Sequence, residues 1–310
     1  MEKRALGSLS VSVVGLGCNN FGIRLDQAQT SAVIDAALDA GVNFFDTADV
    51  YGGTHSEELV GKALGARRKQ VIIATKFGLP IDEQRPGGAR PEYIRKAVED
   101  SLRRLGTDYI DLYQLHRPDP KVPLADTLGA LDELVRAGKV RELGSSNFDP
   151  GLIRDADEQS KKAKQARFVS VQNEYSLLVR EPEAGVLAET RARGIGFLPY
   201  FPLASGLLTG KYRPGQPNPS GTRLTEKDSR LAGRFLAADR VEKAAALAAF
   251  AESRGHSLLE LAFSWLRVNP AVSSIIAGAT SAEQIRANVA AVGWQLDADE
   301  LGQIDRLSPR

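Results

Sequence analysis

Three polar residues end apolar, strand-like runs of this sequence. Asp46 ends Gly-Val-Asn-Phe-Phe-Asp, Lys76 ends Val-Ile-Ile-Ala-Thr-Lys, and His116 ends Tyr-Ile-Asp-Leu-Tyr-Gln-Leu-His. Tyr51 follows shortly after the first run. If these runs are neighbouring parallel strands, their ends bring an acid, a base and a proton donor to one place. The pattern therefore predicts an active site that moves protons.

The expected chemistry of these four side chains depends on their charges. A tyrosine hydroxyl has a pKa of about 10, and a neighbouring ammonium lowers that pKa because positive charge favours the phenolate. Lys76 can supply the ammonium to Tyr51. A buried lysine needs a counter-charge, and Asp46 is the expected partner. His116 can orient a substrate oxygen or relay a proton.

Taken one at a time, the four residues have simpler interpretations. Asp46 begins Asp-Thr-Ala-Asp, which is good turn chemistry, and Lys76 can extend into solvent from a strand end. His116 precedes Arg-Pro-Asp-Pro, which is typical of an exposed loop, and an isolated tyrosine such as Tyr51 usually packs in a core. The functional interpretation therefore depends on the four residues occurring together.

Short apolar runs alternate with amphipathic stretches along the chain. We predict strands near residues 11–16, 43–46, 71–76, 109–116, 140–145, 168–172, 196–200 and 272–276. We predict helices near residues 26–40, 56–64, 91–105, 124–137, 151–165, 182–193, 240–253, 257–268 and 282–291. This strict alternation predicts a parallel sheet closed into a (β/α)₈ TIM barrel, an α/β fold of about 250 residues. Active sites of such barrels form at the carboxyl ends of the strands.

The chain is longer than such a barrel, and three segments account for the excess. Residues 3–13, with Gly7-Ser8 between short strand-forming runs, predict an N-terminal hairpin that plugs the barrel floor. Residues 203–234, after the seventh strand, are rich in Gly, Pro, Ser and Thr and predict a long functional loop. Residues 296–307 predict a C-terminal helix. Since no linker or repeat divides the sequence, we predict one domain over residues 1–310.

Composition narrows the class of protein. The 40 basic and 39 acidic residues are spread along the chain and leave a formal charge of +1, so no nucleic-acid partner is expected. Cys18 is the only cysteine, and His55 and His256 lack neighbours at metal-ligand spacing, so no metal site is expected. No apolar stretch approaches the roughly 20 residues that span a bilayer, and no secretory signal is apparent. We therefore expect a cytoplasmic protein without a membrane partner; no oligomeric state is indicated.

Five segments of the chain resemble, in order, the signatures of the aldo-keto reductase superfamily. They are Asn-Phe-Phe-Asp-Thr-Ala-Asp-Val-Tyr-Gly (43–52), Thr-Lys-Phe-Gly (75–78), Leu-His-Arg (115–117), Gly-Ser-Ser-Asn-Phe (144–148) and Gln-Asn-Glu-Tyr (172–175). The resemblance covers nearly the whole chain. It implies a (β/α)₈-barrel oxidoreductase that uses NADPH to reduce a small-molecule aldehyde or ketone.

The same resemblance implies roles for the four residues. Tyr51 is then the proton donor, and Lys76 modulates its pKa. Asp46 is the partner of Lys76, and His116 orients the substrate carbonyl. All four members of the family's catalytic tetrad are present in this sequence.

Cofactor contacts are expected at the ends of the other strands. Cys18 and Asn19 end the first strand, near the expected nicotinamide. The resemblance implies that Ser146, Asn147 and Gln172 bind the nicotinamide carboxamide and that Tyr200 stacks on its ring. It further implies contacts along the rest of the cofactor from Phe201, Pro202, Leu203, Ser205, Gly206, Lys211, Arg223, Gly278, Thr280, Gln284 and Asn288.

Two of these positions depart from the family pattern. Several branches carry a lysine and an arginine where this chain has Gly278 and Gln284. Those cations clamp the adenosine phosphate, so their absence weakens the expected preference for NADPH and makes NADH a second candidate cofactor. Lys211 and Arg223 are expected to compensate.

Three other interpretations compete with a carbonyl reductase. Gly15-Leu16-Gly17-Cys18-Asn19-Asn20 begins like a Rossmann fingerprint, but Asn20 stands in place of the third glycine and Asp46 lies beyond the usual interval of about 20 residues. A nucleotide-binding sensor or partner subunit, such as the potassium-channel β-subunits, can share the fold and the tetrad. A phosphate-handling barrel isomerase would need no nicotinamide cofactor.

Overall fold

The computed structural model describes residues 1–226 and 231–310. Its strands are β1 (Lys3–Leu6), β2 (Leu9–Ser12), β3 (Val14–Gly17), β4 (Phe44–Asp46), β5 (Ile72–Phe77), β6 (Ile110–Leu115), β7 (Val140–Ser146), β8 (Phe168–Glu174), β9 (Gly196–Tyr200) and β10 (Ile275–Gly278). Its helices are α1 (Gln27–Asp39), α2 (His55–Leu64), α3 (Pro91–Leu105), α4 (Leu124–Arg136), α5 (Pro150–Ala163), α6 (Val186–Arg193), α7 (Ala232–Phe235), α8 (Ala238–Glu252), α9 (Leu258–Val268), α10 (Ala282–Ala290) and α11 (Ala298–Leu307).

The central sheet is a barrel of parallel strands. It follows the order β10-β3-β4-β5-β6-β7-β8-β9, and each neighbouring pair is parallel. Between β9 and β10 the barrel is joined at Phe197, which donates to the carbonyl of Ala271 (2.8 Å) and accepts from the amide of Ser273 (2.9 Å). The predicted (β/α)₈ fold is confirmed. The Rossmann interpretation is wrong, because a closed barrel has no switch point in its strand order.

Local sequence chemistry explains several helix ends. Arg90 precedes α3 and Pro91 occupies its first turn, where a missing amide hydrogen costs nothing. After α1 and α4 the chain reverses at Gly41 and Gly138, whose φ angles of 79° and 72° favour glycine. Helix α4 begins after Pro123 without a side-chain cap, in agreement with the lack of a capping residue in the sequence.

The N-terminal hairpin covers the amino-terminal end of the barrel. Strands β1 and β2 pair antiparallel, and Leu6, Leu9 and Val11 pack with Phe44 of β4 in a second apolar cluster. The predicted strand over residues 11–16 was wrong in its extent, since the chain bends at residue 13. The hydroxyl of Ser12 bonds the carbonyl of Val14 (2.7 Å) at this bend, which separates the hairpin from the barrel.

Two further boundaries differ from the predictions. The last barrel strand begins at Ile275 rather than near residue 272, because residues 271–273 bond β9 before the chain reaches β3. The long segment after β9 contains a short 3₁₀ turn, Ala204–Thr209, and ends at α7. The part of this predicted loop at residues 227–230 lies outside the described residues. Over the described ranges, no helix has the length and apolar character needed to cross a membrane.

Candidate active site

The four residues predicted to act together meet at the carboxyl ends of neighbouring strands. Asp46 is the last residue of β4, Lys76 lies near the end of β5, and His116 directly follows β6. Tyr51 opens a 3₁₀ turn that continues into α2. Gly52 allows this turn, because its φ angle is 61° and a Cβ there would lie 2.5 Å from the carbonyl oxygen of Phe21. The turn thus approaches the loop after β3 closely enough to hold Tyr51 over the barrel.

Lys76 connects Asp46 to Tyr51. Its side chain is fully buried, and its Nζ donates to Asp46 Oδ1 and to the carbonyl oxygen of Thr47 (2.9 Å). The third contact is to Tyr51 Oη, 3.5 Å away. An ammonium has three donors, so this arrangement uses all of them and points one at the tyrosine hydroxyl.

The pKa shifts of this pair partly differ from the expectation. Burial alone would lower the pKa of Lys76, but the charge of Asp46 and the Tyr51 hydroxyl raise it above its usual range, so the ammonium persists. Burial raises the pKa of Tyr51, and Lys76 lowers it by a smaller amount. The expectation of a net lowered tyrosine pKa was wrong for this state of the protein, because desolvation of the phenolate outweighs the attraction of the ammonium.

His116 stands beside the tyrosine as a neutral imidazole. The two rings meet edge to face, with centroids 5.8 Å apart. Burial, together with the positive charges of Lys76 and Arg117, lowers the pKa of His116 to about 2. Its Nδ1 is buried without a hydrogen-bond partner among residues 1–226 and 231–310. A neutral ring can orient a substrate oxygen by a hydrogen bond, but it holds no extra proton to transfer at neutral pH.

Two amides surround the other oxygen of Asp46. Gln172 Nε2 and Gln114 Nε2 both donate to Asp46 Oδ2, at 3.0 and 3.2 Å. The side chain of Gln172 therefore faces Asp46. Gln114 was not among the predicted site residues. Its signal in the sequence was a polar residue inside an apolar strand, two positions before His116 and thus on the same face of that strand.

A chain of hydrogen bonds links the ends of β7, β8 and β9. Ser146 Oγ donates to the carbonyl of Gln172 (2.8 Å), and Asn147 Nδ2 donates to Ser146 Oγ (3.1 Å) and to the carbonyl of His116 (3.0 Å). Tyr200 Oη donates to Asn147 Oδ1 (2.9 Å). Asn147 has a φ angle of 60°, an uncommon conformation in which asparagine is enriched. The structure thus brings together four of the six residues predicted to lie at the nicotinamide, namely Ser146, Asn147, Gln172 and Tyr200.

The segment after β9 has an unusual backbone. Phe201, Ala204 and Ser205 have φ angles of 52°, 46° and 56°, and Gly206 follows at 101°. Left-handed conformations of non-glycine residues are strained and cluster at functional sites. A Cβ on Gly206 would lie 3.2 Å from Lys211 Nζ, so glycine makes room for this ammonium. Pro202 is buried and Leu203 packs against the core, which fixes the start of the segment.

Three cations gather where this segment faces the loop after β3. Burial and the charge of Arg24 lower the pKa of Lys211 and of Arg223. Arg223 lies over the ring of Phe201, 5.3 Å from its centroid. Arg24 bonds Glu226 through Nε (2.7 Å), which joins the loop after β3 to the long loop after β9. Sequence reasoning missed Arg24 because the contact spans about two hundred residues of chain.

The predicted adenosine segment follows β10. Gln284 Oε1 accepts from the amide of Thr280 (2.9 Å) and from its hydroxyl (3.1 Å), so this side chain holds the turn before α10. Gly278 lies beside Asn19 and Asn20; a Cβ there would be 3.5 Å from Asn19 Oδ1 and 3.2 Å from Asn20 Nδ2. The two positions that depart from the family pattern thus carry no positive charge.

Unsatisfied polar atoms on these segments are compatible with a polar ligand. Ser205 Oγ and Asn288 Nδ2 are buried and lack hydrogen-bond partners within the described ranges. Such atoms are rare in folded proteins and usually have a functional explanation. Together with the cluster of Arg24, Lys211 and Arg223, they fit an extended, phosphate-bearing cofactor.

Cys18 lies in the apolar core at the end of β3. Its side chain is fully buried, and Sγ donates weakly to the carbonyl of Leu16 (3.6 Å). Burial raises the pKa of the thiol well above its usual range. Cys18 therefore lies beneath the site and has no exposed surface with which to contact a cofactor. Its neighbour Asn19 is partly exposed.

A buried acid next to the site gives a prediction about stability. Burial and the negative charge of Glu57 raise the pKa of Asp49 to about 8, and neither carboxyl oxygen has a hydrogen-bond partner in the described part of the chain. The pKa of Asp49 in the folded protein exceeds its value of about 3.9 in the unfolded chain. The contribution of neutral Asp49 to the free energy of unfolding is therefore complete below about pH 3.9 and is lost as pH rises through about 8.

The variant Asp49→Asn stays neutral at every pH, so it should escape this loss. We expect it to be more stable than the wild type at about pH 8, by about 1–3 kcal/mol, with a smaller difference at about pH 4. Urea unfolding at both pH values measures this, with the exposed Asp239→Asn as control. A difference that does not grow with pH would contradict the prediction.

Comparison with known proteins places this geometry in a family. The model of the Aldo/keto reductase family matches residues 13–309. A Bacillus subtilis (strain 168) protein named Uncharacterized oxidoreductase YrpG is 35% identical over 323 residues, covering 100% of this chain and 96% of the relative. Protein tas of Escherichia coli (strain K12) is 34% identical over 333 residues, covering 96% and 94%.

A third relative carries a different kind of name. A Probable voltage-gated potassium channel subunit beta of Oryza sativa subsp. japonica is 35% identical over 299 residues, covering 94% of this chain and 91% of the relative. The family match extends over nearly the whole barrel, and the relatives align over nearly their full lengths. This chain therefore belongs to the aldo/keto reductase family and is an oxidoreductase, in a family that in general reduces carbonyl groups with NAD(P)H.

Proposed function

We propose that this protein reduces an aldehyde or ketone to an alcohol with NADPH, and that Tyr51 is the general acid. The observation that carries the proposal is the buried chain of contacts from Asp46 through Lys76 to Tyr51. Such a chain supplies a protonated group at the barrel mouth without exposing the ion pair to water. The proposed substrate is a small molecule, because the four residues meet at the mouth of the barrel, in or shortly after β4, β5 and β6.

Each residue has a defined task in the proposed reaction. When bound, a reduced nicotinamide would supply hydride to the carbonyl carbon. Tyr51 Oη donates its proton to the carbonyl oxygen as negative charge develops there. Lys76, 3.5 Å away, stabilises the phenolate that remains, and Asp46 keeps Lys76 protonated. Neutral His116 orients the carbonyl oxygen toward Tyr51.

The cofactor is proposed to lie from the ends of β7 and β8 to the segment before α10. Asn147, Ser146 and Gln172 would bind the carboxamide, and Tyr200 would stack on the ring. Lys211 and Arg223 would meet the phosphates, and Asn288 Nδ2 would find an acceptor at the adenosine end. NADH is a second candidate because Gly278 and Gln284 add no charge.

Turnover is the direct test of this proposal. Purified protein is mixed with 4-nitrobenzaldehyde and either NADPH or NADH, and loss of nicotinamide absorbance is followed. We expect oxidation of the nicotinamide that depends on the aldehyde, with higher kcat/KM for NADPH. Absence of turnover with both cofactors, across a panel of aldehydes and ketones, would contradict the proposed reaction.

Cofactor binding gives a separate prediction. Lys211→Ala and Arg223→Ala should each weaken NADPH binding by about 10-fold and NADH binding less, because a charge-assisted contact to the 2′-phosphate is lost. Fluorescence titration measures both dissociation constants. Lys62→Ala, an exposed lysine on α2, is the control and should change neither constant. Equal weakening of NADPH and NADH would remove the assignment of a 2′-phosphate contact.

A second function, a nucleotide-binding sensor or partner subunit, is favoured by one observation. The rice relative named as a probable potassium channel subunit beta aligns with 94% of this chain. This alternative predicts NADPH binding with little turnover, so the assay above separates the two functions. Membership of an oxidoreductase family leaves the isomerase interpretation without support.

We also propose that residues 1–310 form one domain. Contacts at both ends of the chain support this proposal. The hairpin of β1 and β2 packs on the barrel floor, and Arg4 donates to the carbonyl of Val272 (2.6 Å). At the other end, Arg180 donates to the carbonyl of Ser308 (2.6 Å) and pairs with Asp305 of α11 (2.8 Å).

A further inference from the structure

A layer of polar side chains crosses the barrel interior just below the site. Lys76 of β5 pairs in register with Gln114 of β6, and Gln114 pairs with Gly144 of β7. Gln172 reaches the same layer from β8 and Asp46 from β4. The side chain of Gln114 is fully buried. Burying the amide of Gln114 costs free energy unless its polar atoms form hydrogen bonds, so these hydrogen bonds indicate what the residue does.

The hydrogen bonds of this layer leave one consistent assignment of donors and acceptors. Gln172 Nε2 donates to Asp46 Oδ2 (3.0 Å) and to Gln114 Oε1 (3.3 Å). Gln114 Nε2 donates to Asp46 Oδ2 (3.2 Å). An ionised carboxylate only accepts, so Asp46 can satisfy both amides on one oxygen while its other oxygen receives Lys76.

Gly144 provides the space that Gln114 occupies. A Cβ at this position would lie 2.8 Å from Gln114 Cγ and 2.4 Å from Ser170 Oγ. The residue has no positive φ angle, so backbone conformation does not require glycine there. The absence of a side chain at Gly144 of β7 thus leaves room for Gln114, whose amide bonds Asp46 and Gln172.

We propose that Gln114 is a positioning residue that acts through Asp46. It holds Asp46 Oδ2 so that Oδ1 stays on Lys76, and Lys76 in turn keeps its ammonium directed at Tyr51. This role rests on the proposed carbonyl reduction. The Lys76–Tyr51 contact, at 3.5 Å, is the longest of the three contacts of Lys76. A small rotation of Asp46 would therefore separate the ammonium from the hydroxyl.

The first test removes the amide and keeps its size. Gln114→Met is close in length and volume but can neither donate to Asp46 nor accept from Gln172. We expect kcat for 4-nitrobenzaldehyde to fall about 10- to 100-fold, the effect of losing a hydrogen bond to a charged group. The dissociation constant for NADPH should change by less than about 3-fold, because Gln114 is not itself a proposed cofactor contact and reaches the cofactor only through Gln172.

The second test gives the position a titratable copy of the amide. In its protonated form, Gln114→Glu can donate to Asp46 and accept from Gln172, as glutamine does. When ionised, the introduced carboxylate is repelled by Asp46. Two carboxyl groups that share a site have one strongly raised pKa, so the substituted side chain should ionise only as pH rises. We therefore expect kcat near the wild-type value at low pH and a fall as pH rises, in a range where the wild type shows none. A purely space-filling role would not produce this pH profile.

Tyr113→Phe is the matched control. Its hydroxyl is buried on the same strand without a hydrogen-bond partner in the described ranges, so this variant also deletes a buried polar atom from β6. It should keep wild-type kcat and pH profile. If Gln114→Met keeps wild-type kcat, or if Gln114→Glu loses activity equally at every pH, the inference is overturned while the proposed function stands. A wild-type protein without turnover overturns both.

Discussion

Replacing Tyr51 with phenylalanine is expected to lower kcat for aldehyde reduction by about 10²- to 10⁴-fold, the usual contribution of a general acid. The change keeps the aromatic ring, and with it the edge-to-face contact with His116. It removes only the hydroxyl that lies 3.5 Å from Lys76. Folding and NADPH affinity should therefore hardly change, and steady-state kinetics with fluorescence titration measures both parts of the prediction.

The raised pKa of Tyr51 sharpens this expectation. In the protein without substrate, burial keeps the hydroxyl protonated, so the acid is in its donating form throughout the neutral range. The Lys76 ammonium contributes most when negative charge appears on Tyr51 during proton transfer. Near-full turnover by Tyr51→Phe would rule out this mechanism, even with the fold and the cofactor site unchanged.

Replacing Lys76 with methionine is expected to lower both activity and stability. It should reduce kcat by about 10²- to 10³-fold, because preorganised charge next to the reacting group is lost. It should also destabilise the fold by about 3–5 kcal/mol, the usual cost of leaving one member of a buried ion pair alone. The stranded group is Asp46, which is 2% exposed. Urea unfolding and steady-state kinetics measure the two effects separately.

A second substitution distinguishes the two losses. The double variant Asp46→Asn with Lys76→Met contains no stranded charge, so it should recover most of the lost stability while kcat stays low. In a Tyr51→Phe background, Lys76→Met should add little further loss of kcat, because the two residues act as one unit. If the two fold-reductions in kcat multiply in the double variant of Tyr51 and Lys76, then Lys76 acts in a step other than proton donation by Tyr51.

The barrel and the grouping of the four site residues were predictable from the sequence. Alternation of apolar runs with amphipathic stretches is a local pattern, and parallel strands of a closed barrel must direct their ends to one rim. Asp46, Lys76 and His116 are at strand ends in the sequence, so closing the barrel brings them together. The hairpin at residues 3–13 was likewise predictable, because its turn chemistry lies within a few residues.

Strand limits depended on contacts between distant segments. Two hydrogen bonds of Ser12 fix the bend at residue 13. Its hydroxyl donates to the carbonyl of Val14, and its amide donates to the side chain of Asn43 (2.7 Å). The late start of β10 follows from bonds between residues 271–273 and Phe197. An apolar run in the sequence predicts a strand, but the residue at which the strand begins depends on its hydrogen bonds to neighbouring strands.

Only the tertiary structure decided the electrostatics of the site. The sequence predicted that Lys76 lies beside Tyr51, and its Nζ is 3.5 Å from the hydroxyl. The net pKa shift of Tyr51 depends on how deeply that hydroxyl is buried, which no local pattern encodes. Gln114, its space beside Gly144, and the bond from Arg24 to Glu226 also join segments far apart in the chain. Residue type and periodicity determine which groups reach the rim of the barrel. Distances and burial, which set the strength of their interactions, arise only when the barrel closes.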